Sequence, residues 1–287
     1  GVMDVARIRT PRRGLWRTYF LSFTATFLIC SIVIVSSFYI YVESLLKEEM
    51  ASSSINMANQ VRDVMDVRVD ELYHLAIQLS LDKRIRSLFN VSQPFGASDY
   101  ISMNNIREVM AQHSAINKFV DYFIIYYPES GYVYTPMGNY TSDLFPTQAL
   151  WYEDTDKNEI ANMLDKFHHK KIVPLSKIEG HLINGNYITF IQSIPIENRK
   201  PKANIFMFIS EDTLLSMMGK TMPDEIGHVN ILTNEGEIIA SKNHEGILDS
   251  NIIERIRISE EPFFIYENGN DKSMVAYAYS EVSNWYY

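Results

Sequence analysis

Between Thr18 and Val42 the chain reads TYFLSFTATFLICSIVIVSSFYIYV, about 25 residues without a charge. As a helix rising about 1.5 Å per residue this stretch reaches roughly 37 Å. The hydrocarbon core of a bilayer is about 30 Å thick, so the segment is long enough to span it with some tilt. Arg7, Arg9, Arg12, Arg13 and Arg17 crowd its N-terminal side, and Glu43, Glu48 and Glu49 dominate beyond the other end. By the positive-inside rule the short N-terminus is cytoplasmic and everything after Val42 is exported.

A cleaved signal peptide also begins with positive charge and an apolar run, but such runs span only about 7 to 15 residues and end at small side chains. Here the run is longer and closes on FYIYVESLL, which is bulky where a peptidase requires small residues. Trp16, Tyr19, Tyr39 and Tyr41 sit at the two ends in the manner of interfacial aromatic belts. The segment therefore reads as an uncleaved anchor.

Orientation gives the charge balance its meaning. Five Arg against one Asp put about +4 on the first 17 residues, so the net charge of −9 leaves about −13 on the remainder. An exported region this acidic repels phosphate and is a poor nucleic-acid binder. Cys30, the only cysteine, lies inside the span. The exported part then has neither a disulfide nor a thiolate metal site, and packing alone must hold its core, as suits the outer face of a bacterial membrane. Asn90 and Asn139 open N-x-S/T triplets, which occur by chance and carry little weight.

From Glu43 to about Phe89 no Pro or Gly interrupts the sequence, and it reads as one long helix. Ala58, Val61, Met65, Leu72, Leu75 and Leu79 recur at steps of three and four, with Arg68 at the one place where the seam should be apolar and Val69 beside it. A seam on a helix continuous with a membrane span suits a parallel homodimer stalk. It equally suits packing onto the chain's own sheet, and the two are compatible at different heights.

Asn90–Asp99 is punctuated by Pro94 and Gly96 and reads as a loop, followed by a helix over Tyr100–Lys118. Val120–Tyr127 is β-branched and aromatic and returns through Gly131–Thr135 as a hairpin. Phe145–Phe167 contains a helix with Trp151 and Tyr152 near its start. Lys171–Ile178, Tyr187–Ile194 and Asn204–Ile209 read as strands, the last two separated by ENRKPK. The result is a five-stranded antiparallel set with helices to one side, an α+β unit. After a short helix over Glu211–Gly219 the pattern repeats in smaller form. Strands Val229–Thr233 and Glu237–Ser241 flank a turn, Asp249–Ile258 is helical, and Phe263–Tyr266 and Ser273–Tyr279 are strands. Because the sequence opens on Gly1 rather than Met and stops inside an expected strand, it reads as part of a longer protein.

This order resembles the double-Cache extracytoplasmic sensor: an anchor, a long stalk helix over 43–90, a membrane-distal PAS-like lobe over 91–219 and a membrane-proximal one over 220–287. More narrowly, the stalk NQVRDVMDVRVDELYHLAIQLSLDKRIRSLF, the hairpin FVDYFIIYYPESGYVYT, YITFIQSIPI with ANIFMFISEDTLLSMM, HVNILTNEGEIIAS and VAYAYSEVSNWYY resemble the front half of membrane-anchored AraC-type regulators of Gram-positive bacteria. Sensor histidine kinases share that front half and are the main rival, and a surface scaffold or adhesion domain that binds a partner protein and signals nothing is the other class left open. The resemblance implies a second membrane span after the closing strand and a cytoplasmic DNA-binding output domain; no nucleic-acid contact is expected from the present residues.

Amino-acid-binding members of the double-Cache group carry an Arg two residues before a Trp-Tyr pair and a Tyr further upstream. The pair stands here as Trp151 and Tyr152, but Ala149 replaces the Arg and Leu144 the Tyr. Alanine supplies none of the paired donors a carboxylate fork needs. The resemblance to the regulators instead implies a sugar or oligosaccharide. Tyr126, Tyr134, Trp151, Tyr152 and Tyr187, with Tyr122 beside them, are the candidate ligand-binding residues, since each joins an apolar ring to a polar tip. Core packing accounts for such residues equally simply.

Asp154, Asp156, Asn158 and Asp165 imitate a calcium loop, but Glu159 occupies the position that requires Gly. His168 and His169 are adjacent and read as exposed loop residues that would point to opposite faces of a strand. No nucleophile elbow, phosphate loop or HExxH occurs, so neither an enzyme, a metal site nor a cofactor is expected.

Overall fold

The computed structural model describes residues 12–153, 157–196, 199–219, 228–242, 249–259, 261–269 and 271–287. The chain divides into two compact units, Gly1–Ser53 and Ser54–Tyr287. Its first element is α1, Arg12–Leu81, a helix of 70 residues. The stretch beginning at Trp16 is long and apolar enough to cross a membrane, and Phe23, Phe27, Ile34, Phe38 and Ile40 are all exposed. The Thr24 and Thr26 hydroxyls donate to the carbonyls of Phe20 and Ser22 at 2.8 and 2.9 Å, so these two polar groups are satisfied within the helix itself.

The long helix ends at Leu81, short of Phe89. Asp82 leaves the helical conformation and caps a new single turn, α2 (Lys83–Arg86), by accepting from the Arg84 N–H at 2.7 Å. Two salt-bridging contacts from the Arg84 guanidinium reinforce this cap, and hydrogen bonding to Arg84 lowers the Asp82 pKa. Helix α3 then runs Ala97–Ile116.

Seven antiparallel strands follow rather than five: β1 (Tyr122–Tyr127), β2 (Tyr132–Tyr134), β3 (Asn139–Thr141), β4 (Leu150–Tyr152), β5 (Lys171–Gly180), β6 (Gly185–Ile194) and β7 (Ala203–Ser210), in the order β3-β2-β1-β7-β6-β5-β4. The two additional strands are three-residue edges, too short to show an alternation in sequence. Helices also cover both faces rather than one, which is why β1, β6 and β7 are almost continuously buried.

On one face Phe123, Ile125 and Tyr127 of β1 pack with Ile188, Phe190, Ile205 and Met207 against α1 and α3. The α1 seam is used here. Val61, Met65, Leu72, Leu75 and Leu79 are all buried in this core, with Ala58 also buried, and Val69 fills the place opened by Arg68. These residues serve the chain's own sheet and are not available to a dimer seam. On the other face, α4 (Phe145–Gln148) and α5 (Lys157–Asp165) cover Ile124, Ile191, Phe206 and Phe208.

Helix α6 (Glu211–Gly219) leads to the smaller sheets. Strands β8 (Val229–Thr233) and β9 (Ile238–Lys242) pair with the short β12 (Trp285–Tyr286) in the order β12-β8-β9. Strands β10 (Phe263–Asn268) and β11 (Asp271–Ala276) form a separate hairpin beside α7 (Ser250–Ile258), where Ile256, Phe264 and Tyr277 cluster. The expected Ser273–Tyr279 strand stops at Ala276, and Tyr279 instead forms an isolated bridge to Tyr286. Ile231, Ile239, Ala240, Trp285 and Tyr287 join the same core as α1 and the large sheet.

Candidate functional site

The strand pleat sends Tyr122, Ile124 and Tyr126 of β1 to the face covered by α4 and α5. Register places Tyr122 opposite Phe208 and Thr189 opposite the same Phe208 from the other side, with Tyr187 opposite Ser210. Tyr122, Thr189 and Tyr187 therefore line one end of this face.

Trp151 and Tyr152 were expected near the start of a helix and instead lie on the edge strand β4, opposite Glu179 and Ile178 of β5. The helix breaks after Gln148 because β4 is drawn against β5. Gly180 has no side chain at the point where the Ala149 carbonyl comes within 2.3 Å of where a Cβ would stand. Tyr152 is buried, and its hydroxyl pairs with the Thr189 hydroxyl at 2.8 Å. Trp151 is half-buried and packs against the cluster from its rim. Tyr126 donates to Asp165 Oδ1 at 2.6 Å, tying β1 to the last turn of α5. The hydroxyl of Tyr122 is buried, and hydrogen bonding to the Thr135 side chain partly offsets the effect of that burial on its pKa.

Burial raises the pKa of Tyr122, Tyr126, Tyr152 and Tyr187 alike; Asp165 adds to the effect at Tyr126, and Thr189 opposes it at Tyr152. These groups stay protonated at neutral pH. They donate and accept hydrogen bonds and present ring faces, but they do not act as bases.

Of the candidate residues, Tyr126, Tyr152 and Tyr187 share this face and Trp151, the neighbour of Tyr152 on β4, packs against its rim, whereas Tyr134 does not. It is fully buried on the opposite face, edge-on to Tyr127 at 5.3 Å. The β2 pleat fixes this: Val133 faces α5 and its neighbour must turn away. Thr189 and Asp165 were not singled out as site residues. A lone Thr inside the apolar run YITFI was the available sign for the first.

The far end of α5 is held by a polar cluster. The Asn204 amide donates to the carbonyls of Leu164 and Lys166 at 2.5 and 2.9 Å, while Ser193 donates to Asn204 and accepts from the His168 N–H. His168 is buried rather than exposed, with its Nε2 2.8 Å from the Met163 carbonyl; His169 remains exposed beside Tyr73. Asp154 and Asp156 lie outside the described residues. Among those described, no three His, Cys, Asp or Glu side chains converge as a metal site.

No protein-family model and no curated protein matches the sequence. Solved structures do match in fold. The extracellular domain of vpHK1S-Z8, assigned as a histidine kinase, aligns with a TM-score of 0.56 at 11% identity over 83% of this chain and 93% of that one. The ligand-binding domain of the Pseudomonas fluorescens chemoreceptor CtaA, in complex with L-isoleucine, gives 0.55 at 10% identity over 85% and 92%. That of the Campylobacter jejuni chemoreceptor Tlp3, in complex with L-valine, gives 0.51 at 12% over 85% and 92%. Two of these are ligand-binding domains of chemoreceptors and one is the extracellular domain of a kinase, and this chain is α+β with the Cache-like fold they share.

Proposed function

We propose that this protein is the sensory part of a membrane signalling protein. Residues 43–287 are exported, with a membrane-distal lobe over 91–219 and a membrane-proximal lobe over 220–287. One observation carries the reading. Helix α1 is a single element that begins in an exposed apolar stretch of membrane-spanning length and ends in the core of a sensory-domain fold. A ligand that favours one packing of that core over another biases the position of the helix.

The ligand site we assign is the face formed by Tyr122, Tyr126, Trp151, Tyr152, Tyr187 and Thr189. Its ring faces and uncharged hydroxyls suit a neutral polyhydroxylated molecule, a sugar or short oligosaccharide. Ala149, buried where a carboxylate-binding Arg would be needed, weighs against a free amino acid. The inferred output is an AraC-type DNA-binding domain. Likeness to the extracellular domain of vpHK1S-Z8 favours a kinase as the second reading. Pairing of two copies along α1 draws on residues before Ser54, where Leu45, Leu46 and Met50 are exposed.

The test is a thermal-shift screen of the chain in lipid nanodiscs against D-glucose, D-xylose, L-arabinose, cellobiose and L-valine. A saccharide should raise the melting temperature, and Trp151→Ala should remove the shift. Stabilisation by L-valine alone, or a saccharide shift that survives Trp151→Ala, overturns the assignment.

A further inference from the structure

A cavity of about 260 Å³ lies on the side of the large sheet opposite the α4 and α5 cover. One wall is a single face of α3, where Tyr100, Asn104 and Arg107 follow at the helical spacing of four and three residues. The other wall is the β2–β3 hairpin, which contributes Tyr132 and Asn139, and Phe95 closes the end. The three rings form one assembly, with Phe95 edge-on to Tyr132 at 5.3 Å and to Tyr100 at 6.1 Å.

Two polar features give the cavity a direction. Asn139 Oδ1 is buried and has no hydrogen-bond partner, so it is an acceptor that lacks a donor. A buried polar atom left in this state costs about 1–3 kcal/mol, which a suitable ligand would recover. Arg107 is the cationic side chain in the lining, and it is exposed to solvent. The nearby acid in the first turn of α3, Asp99, accepts from the Gly96 N–H at 2.7 Å.

We infer that this cavity is a second ligand site, separate from the face under α4 and α5, for a small carboxylate carrying a hydrogen-bond donor at its other end. The guanidinium of Arg107 holds the carboxylate, whose two oxygens match its paired donors. A hydroxyl or ammonium group on the ligand donates to Asn139 Oδ1. The short carbon skeleton lies against Phe95, Tyr100 and Tyr132, and for an ammonium these rings add a cation–π attraction. Ligand pockets commonly measure about 300–1,000 Å³, so a cavity below that range takes a molecule of a few carbons.

Calorimetric titration of the full chain in nanodiscs separates the sources of this chemistry. The probes are L-lactate (hydroxyl donor), L-alanine (ammonium donor), propionate (no donor) and D-glucose (no carboxylate). Lactate, alanine or both should bind about tenfold more tightly than propionate, the worth of one hydrogen bond to a charged or buried partner. Arg107→Gln, on an exposed helix face, should weaken that binding at least about tenfold and leave any D-glucose binding unchanged. Asn139→Ala should bring the donor-bearing probes to within about twofold of propionate, since the donor then has nothing to meet. Ser114→Ala, exposed on α3 outside the cavity lining, is the control for folding and should keep the preference over propionate. Failure of both lactate and alanine to bind, binding indifferent to Arg107→Gln, or an unchanged preference in a folded Asn139→Ala variant each overturns the inference. Loss of carboxylate binding in Trp151→Ala rather than Arg107→Gln would move these ligands to the opposite face and overturn it as well.

Discussion

The Ser280 hydroxyl donates a 2.5 Å hydrogen bond to Asp66 Oδ1, joining the last residues of the chain to α1 across 214 positions of sequence. Ser280 Oγ also accepts from the N–H groups of Val282 and Ser283, and Ser283 pairs with the Tyr287 hydroxyl at 3.1 Å. Trp285 and Tyr287 are buried beside this network in the core that α1 shares. Asp66→Ala strips the acceptor and should cost about 1–3 kcal/mol, while Asp66→Asn, which keeps an oxygen, should cost less than about 1 kcal/mol. Hydrogen exchange over Tyr277–Tyr287 should quicken in the alanine variant. Wild-type protection there would mean that apolar packing alone holds the end of the chain.

Tyr152 and Thr189 supply a second, more enclosed test, because their hydroxyls have each other as partners and Thr189 is fully buried. Thr189→Val orphans the Tyr152 hydroxyl and should cost about 1–3 kcal/mol. Removing both hydroxyls, in Tyr152→Phe with Thr189→Val, should cost less than the sum of the single changes. Additivity in urea melts of the four proteins would show that the pair does not act as a unit.

Burial raises the pKa of Tyr126, Tyr127, Tyr134, Tyr152 and Tyr287 in the folded chain. An unfolded tyrosine ionises near pH 10, so the folded state holds more protons above that value. The stability this contributes is intact below about pH 10 and is lost as pH rises beyond it. Tyr152→Phe should reduce the slope of melting temperature against pH between about pH 9 and 11. An unchanged slope would mean that the ring is not kept neutral by burial.

His168 contributes on the acid side in the same way, as does His113, whose pKa burial also lowers. At His168 burial is the largest influence and lowers its pKa, Lys171 and Lys166 add to that, and the Met163 carbonyl opposes it. The unfolded imidazole takes up its proton near pH 6.5, before the folded one does. Stability is therefore present above about pH 6.5 and declines as pH falls through the folded value. A His168→Gln variant should lose part of this decline between about pH 7 and 5. Equal slopes in the two proteins would place the imidazole in solvent, as the sequence alone suggested.

Periodicity carried the reading of the fold as far as periodicity reached. The α1 seam was visible residue by residue because a helix repeats every 3.6 positions and each buried position repeats the message. What the sequence could not show were features set by distant partners. Asp82 caps α2 instead of continuing a helix, and Tyr134 takes the face left over when Val133 turns toward α5. At the candidate site, Trp151 and Tyr152 were legible as residues but not as a strand. Their conformation is dictated by Gly180, about thirty positions away, rather than by their own neighbours.

That dependence on Gly180 is itself open to test. A Cβ at this position would stand 2.3 Å from the Ala149 carbonyl oxygen and 2.9 Å from Leu150 Cα, both backbone atoms that no side-chain rotation can move aside. Gly180→Ala must therefore push β4 away from β5. The strand is only three residues long and sits at the edge of the sheet, so it has little pairing to resist the displacement. The global cost should be about 1–3 kcal/mol, as for other overpacked sites. Amide exchange should rise across Leu150–Tyr152 more than in β6 or β7, and saccharide stabilisation through Trp151 should fall with it. If Gly180→Ala leaves β4 exchange unchanged, the close approach at Ala149 does not hold the Trp-Tyr pair in place.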